Sequence, residues 1–424
     1  MSASNTQLST AATSTKLMAL PWRDTNHSPL SGKELRNIVV EATLREERND
    51  EDDAFLDVPG VAWLEHINLI VGNKSEDRAL AEAFYLDVMG MTPDKGKSFH
   101  VNLGRQQFHL ATPTRDDEIP HRIHGSVGLA VPDTGTLRER LEAAKEDAEA
   151  ANTLGFGDTL FDWYIERGDV DEEETIHVRC PWGNIFRCYP ANARGPSPGL
   201  LSEEPAEESQ QKMTTLHSPG IGLHGGDKMG VLSLGQPGIR YIELLCPEGV
   251  RAEQICMFYK EIVRTPAFVT SVKRKTQPEL ESCVVSVGPG VHLVFVETIP
   301  SSGEDDAAIE EDAFRVTKGI HVCIYAHDFH RLYQRLAARS LVWTNPRFVY
   351  LDTCDTWEKA KKSRTLRFRH IVDIDTDTDG ADGDGDGNSD GTRCNTKSVL
   401  MELEHETRPM RHGQFMKVPY YVPK

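Results

Sequence analysis

The sequence predicts an α+β protein of four βαβββ modules in two tandem pairs. Three observations carry this. A strand, a helix and three short strands recur in that order through the chain. "FYLDVMG" at 84–90 answers "FYKEIVR" at 258–264, and "LRERL" at 137–141 answers "LYQRL" at 332–336. His177 stands before one hairpin as His370 stands before another.

The modules are laid out in order. Residues 1–60 lack sustained periodicity and end in the acidic run "REERNDEDDAFLD", which reads as a disordered tail. Order begins with the first module pair, 61–190. "WLEHINLIV" alternates as a strand. "NKSEDRALAEAFYLDVMGM" follows as a helix, with Asn73 and Glu76 placed as a cap and its partner three residues on. "SFHVNLG" and "QQFHLAT" are strands meeting at Gly104. "GSVGLAVPD", "TGTLRERLEAAKEDAEAA", "LFDWYIE", "TIHVRCP" and "NIFRCYP" repeat the order. Residues 191–238, rich in Pro, Gly, Ser and Glu, read as a linker. The second module pair, 239–408, begins at "GIRYIELLCP" and ends at "SVLMELEHE", leaving 409–424 as a C-terminal tail.

Composition narrows the function. The formal charge of −19 repels a phosphate backbone, and no basic cluster interleaved with aromatics offsets it, so nucleic acid is not expected. No apolar stretch approaches the roughly 20 residues of a membrane-spanning helix, so no membrane partner is expected. The 8 cysteines form no C-x-x-C pair and read as reduced. The first 20 residues lack the apolar core of a secretory signal. They are Ser/Thr-rich and free of acids, which leaves organelle targeting open. A cytoplasmic protein is expected.

"GIHVCIYAHD" at 319–328 holds the first chemical clue. Alternation puts His321, Cys323 and Tyr325 on one face and Ile320, Val322, Ile324 and Ala326 on the other. In "WLEHINLIV" the apolar Ile67, Leu69 and Val71 must face a covering helix, which turns His66 and Asn68 away from it. In "SVLMELEHE" the same argument turns Glu402 and Glu404 inward, with Glu404 and Glu406 expected to be solvated or paired near the strand end.

Paired modules with a His near the start of the first strand and a "GN" hairpin before the last resemble the vicinal oxygen chelate superfamily. Its members include glyoxalase I, extradiol dioxygenases and bleomycin resistance proteins. The resemblance covers about four fifths of the chain. It implies that each module pair forms a curved sheet around a cleft with helices outside, and that metal ligands come from first and last strands. Carried over residue by residue, the second pair offers Tyr241, His292, His321 and Glu402. Two imidazoles and a carboxylate suit a divalent metal such as Fe, Zn, Mn or Ni. Tyr241 departs from the usual His or Gln and is expected to position substrate or donate a proton beside Glu402. The first pair offers His66, His109, Ser126 and Arg187, with His124 two residues before Ser126 as a substitute. A guanidinium cannot bind a metal, but Arg187 suits an anionic substrate or effector. A pairing of modules one and four would join His66 and His109 with His321 and Glu402; sequential pairing is preferred.

The resemblance therefore implies a metal-dependent lyase, isomerase or oxygenase acting on a small molecule with neighbouring oxygens, in a monomer or homodimer. The alternative is a non-enzymatic sequestering protein with degenerate metal sites. The acidic insertion 373–391, "DIDTDTDGADGDGDGNSDG", imitates a calcium loop at Asp375, Asp377, Asp379 and Gly380, but has Asp386 in place of the closing Glu. It reads as an extension of a hairpin. "GIGLHGGDKMG" at 220–230 follows no strand and opens no helix, so it does not support nucleotide binding.

Overall fold

The computed structural model describes residues 29–48, 60–72, 77–94, 98–113, 118–166, 174–191, 237–272, 280–298, 319–374 and 399–417. The linker's interior at 192–236 and nearly all of the acidic insertion lie outside them.

Three of the expected βαβββ modules are present in full, and in the fourth a short turn at Pro346–Phe348 and a second helix replace the first of the three strands expected after the module's helix. Module one holds β1 (Val61–Ile70), a helix α2 (Arg78–Glu82) that continues as a π-turn over Ala83–Val88, β2 (Thr92–Pro93), β3 (His100–Leu103) and β4 (Gln106–Ala111). Module two holds β5 (Gly125–Val131), α3 (Thr134–Ala150), β6 (Asp162–Glu166), β7 (Thr175–Arg179) and β8 (Ile185–Pro190). Module three holds β9 (Gly238–Leu245), α4 (Ala252–Phe258) with a π-turn over Tyr259–Val263, β10 (Ala267–Val272), β11 (Leu280–Ser286) and β12 (His292–Val296). Module four holds β13 (His321–Ala326), α5 (Phe329–Ala337), α6 (Trp357–Ser363), β14 (Leu366–Val372) and β15 (Val399–Pro409).

Their pairing is not sequential. One sheet, sheet A, runs β14-β15-β13-β1-β4-β3-β2, and the other, sheet B, runs β10-β11-β12-β9-β5-β8-β7-β6. Modules one and four therefore share sheet A, and modules two and three share sheet B. The joints are antiparallel pairs of first strands, β1 with β13 and β5 with β9. Sequence alternation tells which face of a strand is apolar but not which distant strand completes the sheet, so it could not choose between the two pairings.

Helices cover the sheet faces opposite the clefts, and one apolar core there joins both sheets. Phe84 of α2 packs against Phe156, Phe161 and Phe186 of module two. Tyr259 of α4 reaches β15, where its hydroxyl lies 2.8 Å from His405 Nε2. His405 Nδ1 lies 2.8 Å from the Leu403 carbonyl. A carbonyl only accepts, so Nδ1 carries the proton and Nε2 accepts from the tyrosine.

The N-terminal segment is not wholly a disordered tail. Gly32–Arg48 forms a helix, α1. Ser31 Oγ accepts from Glu34 N at 3.1 Å, and the Glu34 carboxylate accepts from Ser31 N at 2.8 Å. This reciprocal cap opens a stripe of Leu35, Ile38, Val39 and Ala42, all buried on sheet B against Tyr241, Val284, Val294 and Val296. The helix fills the concave face of sheet B, the second cleft, while the concave face of sheet A forms the first. The C-terminal tail is also partly packed: Phe415 lies edge-on to Tyr325 with ring centroids 4.7 Å apart.

Two outcomes follow. Pieces 1–191 and 237–424, co-expressed, should co-purify as one complex, and either alone should fail to show cooperative unfolding by circular dichroism, because each holds half of both sheets. His405→Phe should cost about 1–3 kcal/mol at pH 7 by stranding the Tyr259 hydroxyl. Burial pushes the His405 pKa down to about 3 from 6.5, so protonation opposes folding. Wild type therefore loses this histidine's contribution as pH falls from 6.5 toward 3, and the gap to the variant should narrow in urea melts across that window.

Candidate metal centre in the first cleft

The site grows from strand register. On β13, His321, Cys323 and Tyr325 share the concave face as expected, all buried. Antiparallel pairing sets Asn68 opposite His321 and His66 opposite Cys323. Parallel pairing sets His109 beside Asn68, and Glu404 and Glu406 beside His321 and Cys323. Four elements thus deliver His66, His109, His321 and Glu406 to one place. His66 and His321 occupy equivalent positions on the two first strands, as His109 and Glu406 do on the two last strands.

Glu406 Oε2 lies 3.4 Å from His321 Nε2 and 3.9 Å from His66 Nε2. The three ligand atoms of His66, His321 and Glu406 lie within 4.8 Å of one another. His109 stacks on His66 with ring centroids 3.5 Å apart, and His100 on His109 at 3.7 Å. Burial pushes the pKa values of His66, His109 and His100 down, so the imidazoles are neutral at pH 7.

A second layer holds these groups. Glu406 is bonded by Arg367 Nη2 at 2.7 Å and by Arg408 Nε at 2.6 Å. Burial alone would raise its pKa, but the charges of Arg408 and Arg367 hold it well below the ordinary range. Arg367 also bonds Glu404 at 2.6 Å and Asp352 at 2.6 Å. Phe348 lies over its guanidinium at 4.7 Å and edge-on to His321 at 5.7 Å. A register shift in β1 between Leu64 and His66 breaks strict alternation there. This bulge brings Glu65 to the same site as its neighbour His66. Glu65 accepts from Tyr325 Oη at 2.5 Å and Arg408 Nη1 at 2.9 Å, and lies 3.4 Å from His66 Nδ1.

The residues fit a cation. His66 Nε2 is buried and has no hydrogen-bond partner among the described residues. With Nδ1 directed to Glu65, its Nε2 lone pair points toward the Glu406 carboxylate, so two electron-rich atoms face each other. Glu65, Asp352, Glu404 and Glu406 share the two guanidiniums of Arg367 and Arg408, which leaves the pocket short of positive charge. Two neutral imidazoles and a carboxylate form the donor set of mononuclear divalent-metal sites with open positions.

Several expected residues lie elsewhere. Glu402 is half-buried and pairs with His370 at 3.2 Å, two same-face strand positions too early. It lies about 13 Å along the strand from Glu406, four residues at the usual rise. Glu404 and Glu406 are buried and paired with Arg367, the second of the two expected alternatives. His292 and Tyr241 stand side by side on sheet B, away from His321's sheet. By register, Ser126 and Tyr241 match His66 and His321, while Arg187 and Val294 match His109 and Glu406. His292 sits two residues before the equivalent position. His124 is half-buried just before β5, its carbonyl accepting from Leu245 N. Among the described residues the second cleft therefore has no ligand set, and the expected His292, His321 and Glu402 triad is divided between two sheets.

No family model matches the chain, and no curated protein matches it. Solved structures it resembles include a variant of glyoxalase I from Zea mays, with 10% identity and a TM-score of 0.42 over 81% of this chain and 93% of that one. A variant of 4-hydroxymandelate synthase from Streptomyces coelicolor has 11% identity and a TM-score of 0.26 over 83% and 93%. A glyoxalase/bleomycin resistance protein from Albidiferax ferrireducens has 15% identity and a TM-score of 0.22 over 30% and 95%. The resemblance to the vicinal oxygen chelate arrangement rests on this chain's own sheets, in which paired βαβββ modules meet through their first strands.

Arg367 is the counter-charge for three carboxylates and is 1% exposed. Arg367→Met should destabilise the protein by about 3–5 kcal/mol, as expected when one partner of a buried ion network is removed. Chemical denaturation of the two proteins checks this.

Proposed function

We propose that the first cleft is the active site of a metal-dependent enzyme that holds one divalent ion through His66, His321 and Glu406 and acts on a small molecule with neighbouring oxygens. The observation that carries the reading is the unpartnered, buried His66 Nε2 facing Glu406 across 3.9 Å. When bound, such an ion supplies Lewis acidity toward a chelated substrate and, if it is iron(II), a site for oxygen chemistry. Pairing with module one brings His66 beside His321, and this donor set favours oxygenase chemistry over glyoxalase-type isomerisation.

The protein's own groups have distinct tasks in this reading. Glu65 orients His66 from behind, in the manner of outer-shell carboxylates on ligating histidines. Arg367 and Arg408 fix the Glu406 carboxylate and keep it ionised. Phe348 screens Arg367 and His321 from water. The stacked His109 and His100 form a flat neutral wall beside the donors.

Sequestration without a metal is the rival reading, and one observation favours it. Two guanidiniums already hold Glu406, and they compete with an ion for its oxygens.

Elemental analysis after reconstitution separates the readings. About one divalent ion per chain should bind, with loss in His66→Ala, His321→Ala and Glu406→Gln but retention in Glu402→Ala. Glu65→Ala should keep the ligands and weaken metal affinity by roughly 10–100-fold. Wild-type protein that retains no metal under any condition overturns the proposal.

A further inference from the structure

The second cleft has chemistry of its own, unrelated to a metal. Strand register lays Tyr164, His177, Arg187, Gly128, Tyr241 and His292 in one row across the floor of sheet B. Gly128 is the gap in that row. A Cβ there would sit 2.0 Å from Tyr241 Cε1, so the tyrosine ring lies across the glycine toward Arg187.

Arg187 is 1% exposed and Tyr241 is fully buried. The nearest carboxylate to Arg187, Glu243, stands 3.7 Å from Nη2, too far for a hydrogen bond. Arg187 Nε and Nη1 and the Tyr241 hydroxyl have no hydrogen-bond partner among the described residues. Buried polar atoms of native proteins are nearly all paired, and a guanidinium with two of its three nitrogens unbonded is a costly exception. Both Arg187 nitrogens donate, and the tyrosine hydroxyl can do so too, so the group they would satisfy presents acceptor oxygens.

We propose that the floor of the second cleft binds a small carboxylate-bearing molecule through Arg187 and Tyr241, beneath α1. Arg187 and Glu243 already offset each other, so the pocket admits at most one added negative charge and rejects a phosphate dianion. The body of the ligand meets Val284, Val294 and the apolar stripe of α1. The roof is tethered where the Gly32 amide donates to Glu166 at 2.9 Å, a carboxylate that His177 also contacts at 2.6 Å. A ligand enters as α1 lifts.

Isothermal titration of full-length protein with acetate, pyruvate and benzoate, and with benzamide as the uncharged control, tests the site. At least one carboxylate should bind saturably with one site per chain, while benzamide should not. Arg187→Gln should weaken binding by about tenfold or more, and the near-isosteric Tyr241→Phe by several-fold. Metal content should be unchanged in both variants, which separates this site from the first cleft. The proposal is overturned if no carboxylate binds wild type or Ile38→Asp, whose roof is loosened. Equal affinity in Tyr241→Phe and wild type, or phosphate binding as tightly as the carboxylates, overturns it as well.

Discussion

The structure depends on the antiparallel contact between β1 and β13. These strands are some 250 residues apart in the chain, and their pairing sets Asn68 opposite His321 and His66 opposite Cys323. Each neighbouring strand then inherits its place. β4 brings His109 alongside β1, and β15 brings Glu406 alongside β13. A slip of one residue would turn every imidazole toward the helices and every core residue toward the cleft, so burial of one face fixes the register and, through it, the site.

Around that contact the cleft is organised by charge. Arg367 is buried and Arg408 half-buried among carboxylates, and the cost of removing them from water is met by short bonds to Glu404, Glu406, Asp352 and Glu65. The same bonds leave Glu406 ionised and immobile, and the bulge in β1 supplies the carboxylate that sets His66's orientation. The second cleft has followed another course. Its ligand positions are Ser126, Tyr241, Arg187 and Val294, and its concave face is filled by an amphipathic helix.

Much of this was legible in the sequence, and the failures have physical causes. Module order and the inward face of His321 follow from period-two alternation, which is local. Parity also placed Glu402, Glu404 and Glu406 on one face, but parity repeats every two residues and cannot say which of three equivalent positions stands beside the partner histidine. Glu65 was hidden because a bulge breaks the alternation that sequence reading relies on. The helix α1 was missed beside a conspicuous acidic run, although Ser31, Glu34, Leu35, Ile38, Val39 and Ala42 spell a capping box followed by an apolar stripe. Partner choice between modules was beyond reach, because it is decided by contacts across hundreds of residues.

That choice has a consequence for the order in which the protein comes into being. The modules close like nested brackets, the inner pair within the outer. A chain emerging from the ribosome can complete sheet B while module four is still unmade, and β1 must wait with its imidazole unpaired until β13 arrives. The first cleft is thus the last part of the molecule to be finished, and a chain truncated before β15 carries both histidines yet never acquires the carboxylate that completes them.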